Sequence, residues 1–497
     1  MQLMRWVSLA AAIHAASSSL MQELSYKDHQ GKPNDKSIEK SNLKVRLFPD
    51  TQHTPLDPAL DHLRPPLPRI PAEYDMFVGL SAFRDGHRCG YTVFTGFKRA
   101  ASPDRLFFGV VDQVSPGDET CLDAYCKLAA AEWPHEACKY QAQIQIDQRP
   151  ANDSRGPTLA RHHQQAMVGD QTFCLQLDAH SVFTNNWDVG LVADWTATGN
   201  EMAILSTYLH NLHEFILPDG TNNPPKNVPH ICQTMRGGNG LVRNIGADII
   251  VDSKAPQLAA LWGAGLSFGK CHAEKRVRVD PHTPWMFDGE EFLRMAALWT
   301  HGYDVYSPSS AGSVVYHNYS KVANRFENVH VDEALKATEK ERGVNRFKLR
   351  VGWAFQGEVD TRDLDIYGLG TARTLHEYLR FSGVTFDDDK ADQHSCKQLF
   401  WFPYSDPAPV EALVPGWTME TAKVTAVAVV PKFNLQGSNP RVLPKEDKLV
   451  QGEDVEEGGM DGVPLWRHPE INLLGLVCLV AVGVAVYGAK SRRTHRD

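Results

Sequence analysis

Four short apolar runs constrain this chain more than any other feature. They are MFVGLSAF at 76–83, RLFFGVVD at 105–112, TFCLQLD at 172–178 and MAILSTY at 202–208. Each is short and rich in aromatic or branched residues, and is bounded by turn or charged residues, so each reads as a buried strand. A helix is expected between the first two, around Tyr91 to Arg99. This strand–helix–strand rhythm predicts an α/β domain with a largely parallel sheet. In such sheets ligands collect at the carboxyl ends of strands. The polar residues at those ends are therefore the candidates: Arg84 and Asp85, Asp112, Asp178 and His180, and His317 after the later extended segment GSVVYH.

Asp178-Ala179-His180 needs separating from three other Asp-x-His triplets, at 85–87, 280–282 and 392–394. The triplets at 280 and 392 sit in loop-like surroundings, and only Asp178 comes directly off a clear strand. A carboxylate and an imidazole two residues apart point the same way from an extended backbone. Such a pair can hold one hard or borderline cation and leave positions open for a substrate. Downstream, Phe292, Met295, Ala296 and Trp299 recur at helical spacing and mark one buried face, which Gly302 ends. A second, weaker helical module lies at 374–383.

At 497 residues with 42% hydrophobic content, the chain is long enough for one large domain or two modest ones plus tails. A net charge of −9, with no basic run interleaved with aromatics, gives no reason to expect a nucleic-acid partner. Both ends carry membrane signals. Residues 1–19 read as a secretory signal peptide and 20–72 as a polar stem, with the folded body at 73–405. Residues 406–470 read as a Pro-rich and acidic linker. The uncharged run Ile471 to Ala489 is long enough for a transmembrane helix, and the basic tail 490–497 faces the cytosol by the positive-inside rule. The expected location is therefore the membrane of the Golgi or endoplasmic reticulum, single-pass, with the body in the lumen. Eight cysteines lie outside the span, an even number that permits disulfides of open connectivity, or buried thiols.

Longer blocks of the sequence carry a resemblance. RGPTLARHHQQAMVGDQTFCLQLDAHSVFTNNWD, ILSTY, WGAGLSFGKC and DGEEFLRMAALWTHGYDVYSPSSAGSVVYHNY follow one another in order. FVGLSAFRD precedes them and YGLGTARTLHEYLRFSGV follows. Together they resemble the polypeptide α-N-acetylglucosaminyltransferases, glycosyltransferase family 60, from about Asp75 to about Val384.

The resemblance implies a GT-A-type nucleotide-diphospho-sugar transferase fold, with a mostly parallel central sheet flanked by helices. It also implies a UDP-GlcNAc donor, a divalent metal such as Mn²⁺, retention of configuration, and a Thr, Ser or hydroxyproline hydroxyl of a protein as acceptor. Asp178, His180 and His317 match the metal ligands. Arg84 and Asp85 match the nucleotide-contacting segment, and Asp112 is the further strand-end candidate for the donor. Arg161 matches a helix under the donor, and Gly265 lies in a loop beside the donor sugar. Glu290 and Glu291 match an acidic pair facing acceptor and sugar. Two alternatives stand beside this reading: a non-catalytic membrane receptor or lectin on the same fold, or the same chemistry with UDP-GalNAc or UDP-glucose. Asn318-Tyr319-Ser320 is a glycosylation sequon directly after His317, where a glycan would block the site, so Asn318 is expected to be unmodified.

Overall fold

The first apolar run becomes the strand around which the domain is arranged. β1 (Met76–Phe83) pairs in parallel with β2 (Leu106–Val114) on one side and with β4 (Phe173–Asp178) on the other. The computed structural model describes residues 44–320, 324–387 and 389–421. β3 (Ile144–Pro150) extends this parallel half beyond β2. Beyond β4 the sheet continues through β8 (Leu266–Lys270), β6 (Ala203–Ser206), β9 (Asp304–Ser307) and β7 (Gln257–Ala259).

The expected mostly parallel sheet is found with two strands reversed: β6 and β9 run in the same direction as β1 to β4. β8 runs antiparallel to both β4 and β6, and β7 is antiparallel to β9, so the eight-stranded sheet is mixed. Direction is invisible in an apolar run. LSFGK is buried on both faces like its neighbours, and only the connections decide which way it lies. Cys174 of β4 bonds to Cys271, just past β8, and fastens the antiparallel strand to the parallel half. Three more disulfides, Cys89–Cys121, Cys126–Cys138 and Cys232–Cys396, pair the remaining cysteines of the body.

The first helix, α1 (Gly86–Arg99), starts a turn earlier than the sequence reading placed it. Cys89, Val93 and Phe97 form its buried stripe. Gly86 and Gly90 permit close approach to α2 (Cys121–Glu132) and to the residues just before it. A Cβ on Gly90 would lie 2.5 Å from the Ala124 methyl. The Cys89–Cys121 bond spans this crossing.

Two further helices matter for the site. α3 (Pro157–Gln165) lies against β1, with Gln164 over Gly79, where a Cβ would come within 2.2 Å of the amide nitrogen. Ser81 Oγ donates to Gln164 Oε1 at 2.8 Å and sets the height of the helix above the sheet. α4 (Trp187–Ala197) follows β5 (Ser181–Phe183). A second core forms where α5 (Glu290–Thr300) meets α6 (Glu333–Arg350), α7 (Leu375–Ser382) and Trp401. There Trp299 stacks on Phe381 at 5.6 Å.

Two segment boundaries need correction. Of the expected stem, residues 44–72 are part of the folded body where described. Gln52 is 2% exposed, and its side chain donates to Pro256 O at 3.1 Å and accepts from Leu258 N at 2.7 Å. Lys44 and Val45 pair with Ile249 and Ile250. A polar segment is not solvent when its polar groups saturate a strand edge. At the other end, Val410 and Val414 are buried in the second core, so the body continues past residue 405. The expected signal peptide and transmembrane helix lie outside the described residues. Among those described, no helix is long and apolar enough to cross a membrane.

His230 supplies a measurable pH signature. It is fully buried, its Nδ1 contacts Ser307 Oγ at 2.9 Å, and burial lowers its pKa to about 4. Between that value and the 6.5 of an exposed imidazole, the unfolded chain binds a proton that the folded chain refuses. The stabilisation is complete above pH 6.5 and is lost as pH falls towards 4, by roughly 3 kcal/mol for this group. Denaturant titrations at pH 7.5 and pH 4.5 should show that loss, and His230→Gln should flatten the pH slope.

Candidate active site

The carboxyl end of β4 is where the candidate residues meet. β4 ends at Asp178, a tight turn carries His180, and β5 pairs antiparallel with β10 (Val315–His317), placing His317 opposite Ser181. Asn318 N donates to His180 O at 2.9 Å, and His317 N donates to His210 O at 2.9 Å. Backbone pairing thus fixes both imidazoles beside the carboxylate, although His317 follows His180 by well over a hundred residues.

One ligand atom from each of Asp178, His180 and His317 lies within 4.8 Å of the others. Asp178 Oδ2 is 3.4 Å from His317 Nε2, and the two imidazole rings meet edge to face at 4.5 Å. The buried Nδ1 of His317 has no hydrogen-bond partner. An oxygen and two imidazoles with an unpartnered ring nitrogen make a donor set that fits a divalent cation such as Mn²⁺. One other trio is equally tight among the described residues, Cys232, Asp248 and Cys396, but its two sulfurs are joined in a disulfide and offer no thiolate.

Electrostatics keep the carboxylate charged. Burial opposes ionisation of Asp178, but the hydrogen bond with His317 and the charges of His180, His317 and Arg161 outweigh it and hold the pKa down at about 2. Burial also lowers the pKa of His180, favouring the neutral ring that can ligate. Behind His180, Asp85 Oδ2 stands 3.6 Å from Nδ1 and is itself held by Arg88 at 2.6 Å. A carboxylate in that place orients an imidazole ligand.

A cavity of about 360 Å³ opens in front of Asp178 and His317. Arg161, Gly265, Glu290 and Glu291 line it together with Tyr208, Arg243 and Asn244. Arg161 projects from α3, one turn before Gln164, with Nη2 3.6 Å from Asp178 Oδ1 and an ion pair to Glu290. A Cβ on Gly265 would lie 3.9 Å from Asp178 Oδ2, in ordinary van der Waals contact, so the loop passes directly beside the carboxylate.

The two glutamates open α5, after Gly289 at φ 103°. Glu290 is 7% exposed and engaged by Arg161, and burial raises its pKa despite that partner. Glu291 accepts from Tyr208 Oη at 2.5 Å, Asn244 Nδ2 at 3.0 Å and Ala264 N at 2.9 Å. Burial pushes its pKa up to about 7 against those bonds, with the like charge of Glu290 adding to the rise. A carboxyl poised near neutrality can either accept or donate a hydrogen bond to a sugar hydroxyl.

Arg84 and Asp112 stand apart from this cavity. Arg84 is tied to Asp118 by two bonds, at 2.7 and 2.8 Å. Asp112 is fully buried and accepts from Cys121 N at 2.7 Å, at the N-terminus of α2. Its strand-end position is as expected, but its carboxylate faces a helix end rather than a ligand cavity. Tyr208 and Asn244 were not among the candidates. Tyr208 closes the strand-like run MAILSTY, a signal of the kind already used, whereas nothing in the sequence around Asn244 marks it.

The profile of the Glycosyltransferase (GlcNAc) family matches residues 75–388, well over half of the chain. The chain therefore belongs to the GlcNAc glycosyltransferase family. No curated protein matches it. Among solved structures, GalNAc-T7 with UDP, GalNAc and Mn²⁺ is similar at 14% identity and TM-score 0.41, over 63% of this chain and 57% of that one. S. aureus TarS 1-349 in complex with UDP-GlcNAc is similar at 12% identity and TM-score 0.32, over 55% and 73%. A mannosyltransferase from Pyrobaculum calidifontis, in complex with GDP-Man and Mn²⁺, is similar at 11% and 0.32, over 65% and 73%. The chain thus spans little more than half of the GalNAc-T7 structure.

Calorimetric titration with Mn²⁺ tests the trio directly. Asp178→Ala and His317→Ala should each abolish measurable binding, and Asp85→Asn should weaken it by about tenfold through loss of the contact behind His180.

Proposed function

We propose that this chain is a retaining glycosyltransferase that moves GlcNAc from UDP-GlcNAc to a Thr, Ser or hydroxyproline hydroxyl of a protein in the secretory pathway. The observation that carries this reading is the convergence of Asp178, His180 and His317, with Asp178 and His317 at the wall of a cavity lined also by Glu290 and Glu291. Family membership supports the sugar chemistry, and a cavity of about 360 Å³ is of a size for a small-molecule ligand.

Asp178, His180 and His317 would hold the divalent cation, which when bound supplies positive charge to the departing diphosphate. Arg161 adds a fixed guanidinium on the same side, already aligned by Glu290 and Asp178. Glu291, cradled by Tyr208, Asn244 and the Ala264 amide, orients sugar hydroxyls rather than attacking the sugar. The acceptor hydroxyl enters on the face that the phosphate leaves, and its proton passes to the departing phosphate oxygen. The chain's contribution on this path is position and preorganised charge.

The GT-A description of the fold and the location belong to the same proposal. The body is lumenal in the Golgi or endoplasmic reticulum, held by a single helix at 471–489. Four disulfides support an oxidising compartment.

Release of UDP from UDP-GlcNAc, UDP-GalNAc and UDP-glucose, measured with and without Mn²⁺, tests the assignment. UDP-GlcNAc should turn over fastest, chelation should stop it, and Asp178→Ala should lose roughly 100-fold or more while keeping its melting temperature. Equal turnover by the variant would sink the role of Asp178, and no turnover of any donor by the folded chain would sink the enzymatic reading.

A further inference from the structure

A second cavity, of about 380 Å³, lies on the far side of the segment that ends at Gly289. Phe287 and Asp288 line both cavities, so this segment is a ridge with the reaction pocket on one side and the second cavity on the other. The second cavity is floored by Trp285, Met286, Phe326 and Val344, with Glu327 and Lys340 at its exposed rim. On the ridge, Phe287 is 56% exposed and offers an aromatic surface between the two cavities.

The ridge is rigidly built. Trp285 sits at φ 62°, a left-handed conformation that a bulky residue adopts only when its surroundings enforce it. They do so here: its indole Nε1 donates to Glu339 Oε2 at 2.7 Å, and Arg155 and Lys336 place cations 5.3 and 4.7 Å from its ring. Asp288 accepts from Gly238 N at 3.0 Å. A Cβ on Gly237 would come within 2.2 Å of that same carboxylate, so the strand turn below is pressed against the ridge. Strain held in place by this many contacts marks a preorganised surface.

We propose that the second cavity seats an apolar side chain of the acceptor polypeptide, close in sequence to the hydroxyl that receives the sugar. The inference rests on the transferase reading and names how its acceptor is recognised. A ligand crossing the ridge must reach the pocket of Glu290 and Glu291 with one group and the second cavity with another. An extended polypeptide, advancing about 3.3 Å per residue, presents side chains in that way. The apolar floor selects a side chain such as leucine, and the charged rim of Glu327 and Lys340 faces the polar backbone on either side.

Short synthetic peptides test this, each with one central Thr, Ser or hydroxyproline and either Leu or Gly at successive flanking positions. The full chain, UDP-GlcNAc and Mn²⁺ are used throughout, and donor hydrolysis is followed in parallel. At one flanking position Leu should raise kcat/KM over Gly by at least about tenfold, the gain expected for burying that side chain. Val344→Lys and Phe326→Ser should bring the Leu-to-Gly ratio close to one. Because the ratio compares two peptides on the same enzyme, partial loss of folded protein does not move it. Equal rates on both peptides, a ratio retained in both variants, or donor hydrolysis with no transfer to any peptide would each overturn the seat. Absence of donor hydrolysis in the unaltered chain would instead remove the transferase reading beneath it.

Discussion

The site depends on one buried cation. Arg161 reaches from α3, in the sheet-bound half, to Glu290 at the head of α5, in the second core, and stands 3.6 Å from Asp178. Asp178 is held ionised chiefly by His317 and His180, whereas Glu290 would not be stable in ionised form at that depth without Arg161, since an unpaired buried charge costs several kcal/mol. With it, two hydrophobic cores that share little sequence are registered against each other at the point where a ligand must bind. Gly79 is the backbone condition for this arrangement. Only a residue without Cβ lets Gln164 settle on β1 and carry Arg161 to the end of β4.

The antiparallel β8 has a comparable part in shaping the cavity. Inserted between β4 and β6, it brings the loop before it, with Ala264 and Gly265, alongside Asp178 and Glu291. A parallel strand in that place would have required a long crossover connection instead of the short approach that now carries Ala264 and Gly265. The Cys174–Cys271 bond holds this inserted strand to the first half, so it contributes to the geometry of the site as well as to the fold.

Legibility in the sequence followed the range of the interaction. Strand-end residues were readable because strand and functional group are adjacent in the chain, as at Asp178 and His180. His317 was readable as the end of the extended segment GSVVYH, and the long matching block joined it to Asp178 and His180. The cradle of Glu291 was not. Tyr208 is 83 residues away and Asn244 is 47, and neither distance leaves a local pattern. Asp112 misled for the same reason in reverse, since its position resembles that of a ligand-facing acid while its hydrogen bond turns it to a helix N-terminus. Gln52 shows the limit of composition, because its segment is polar and yet its amide is buried against a strand edge.

By itself the sequence determined the core strands β1, β2, β4 and β6, the helices α1, α5 and α7, and the identity of the metal-ligand candidates, because apolar period and strand-end chemistry are local properties. It also carried the family resemblance, because long ordered blocks persist where single residues do not discriminate. Tertiary structure alone decided the direction of β8, the pairing of the eight cysteines and which acids face the cavity. It also set the ridge at Phe287 between two cavities. Each of these depends on contacts between residues far apart in the chain, where burial and charge are set by neighbours that no local pattern specifies.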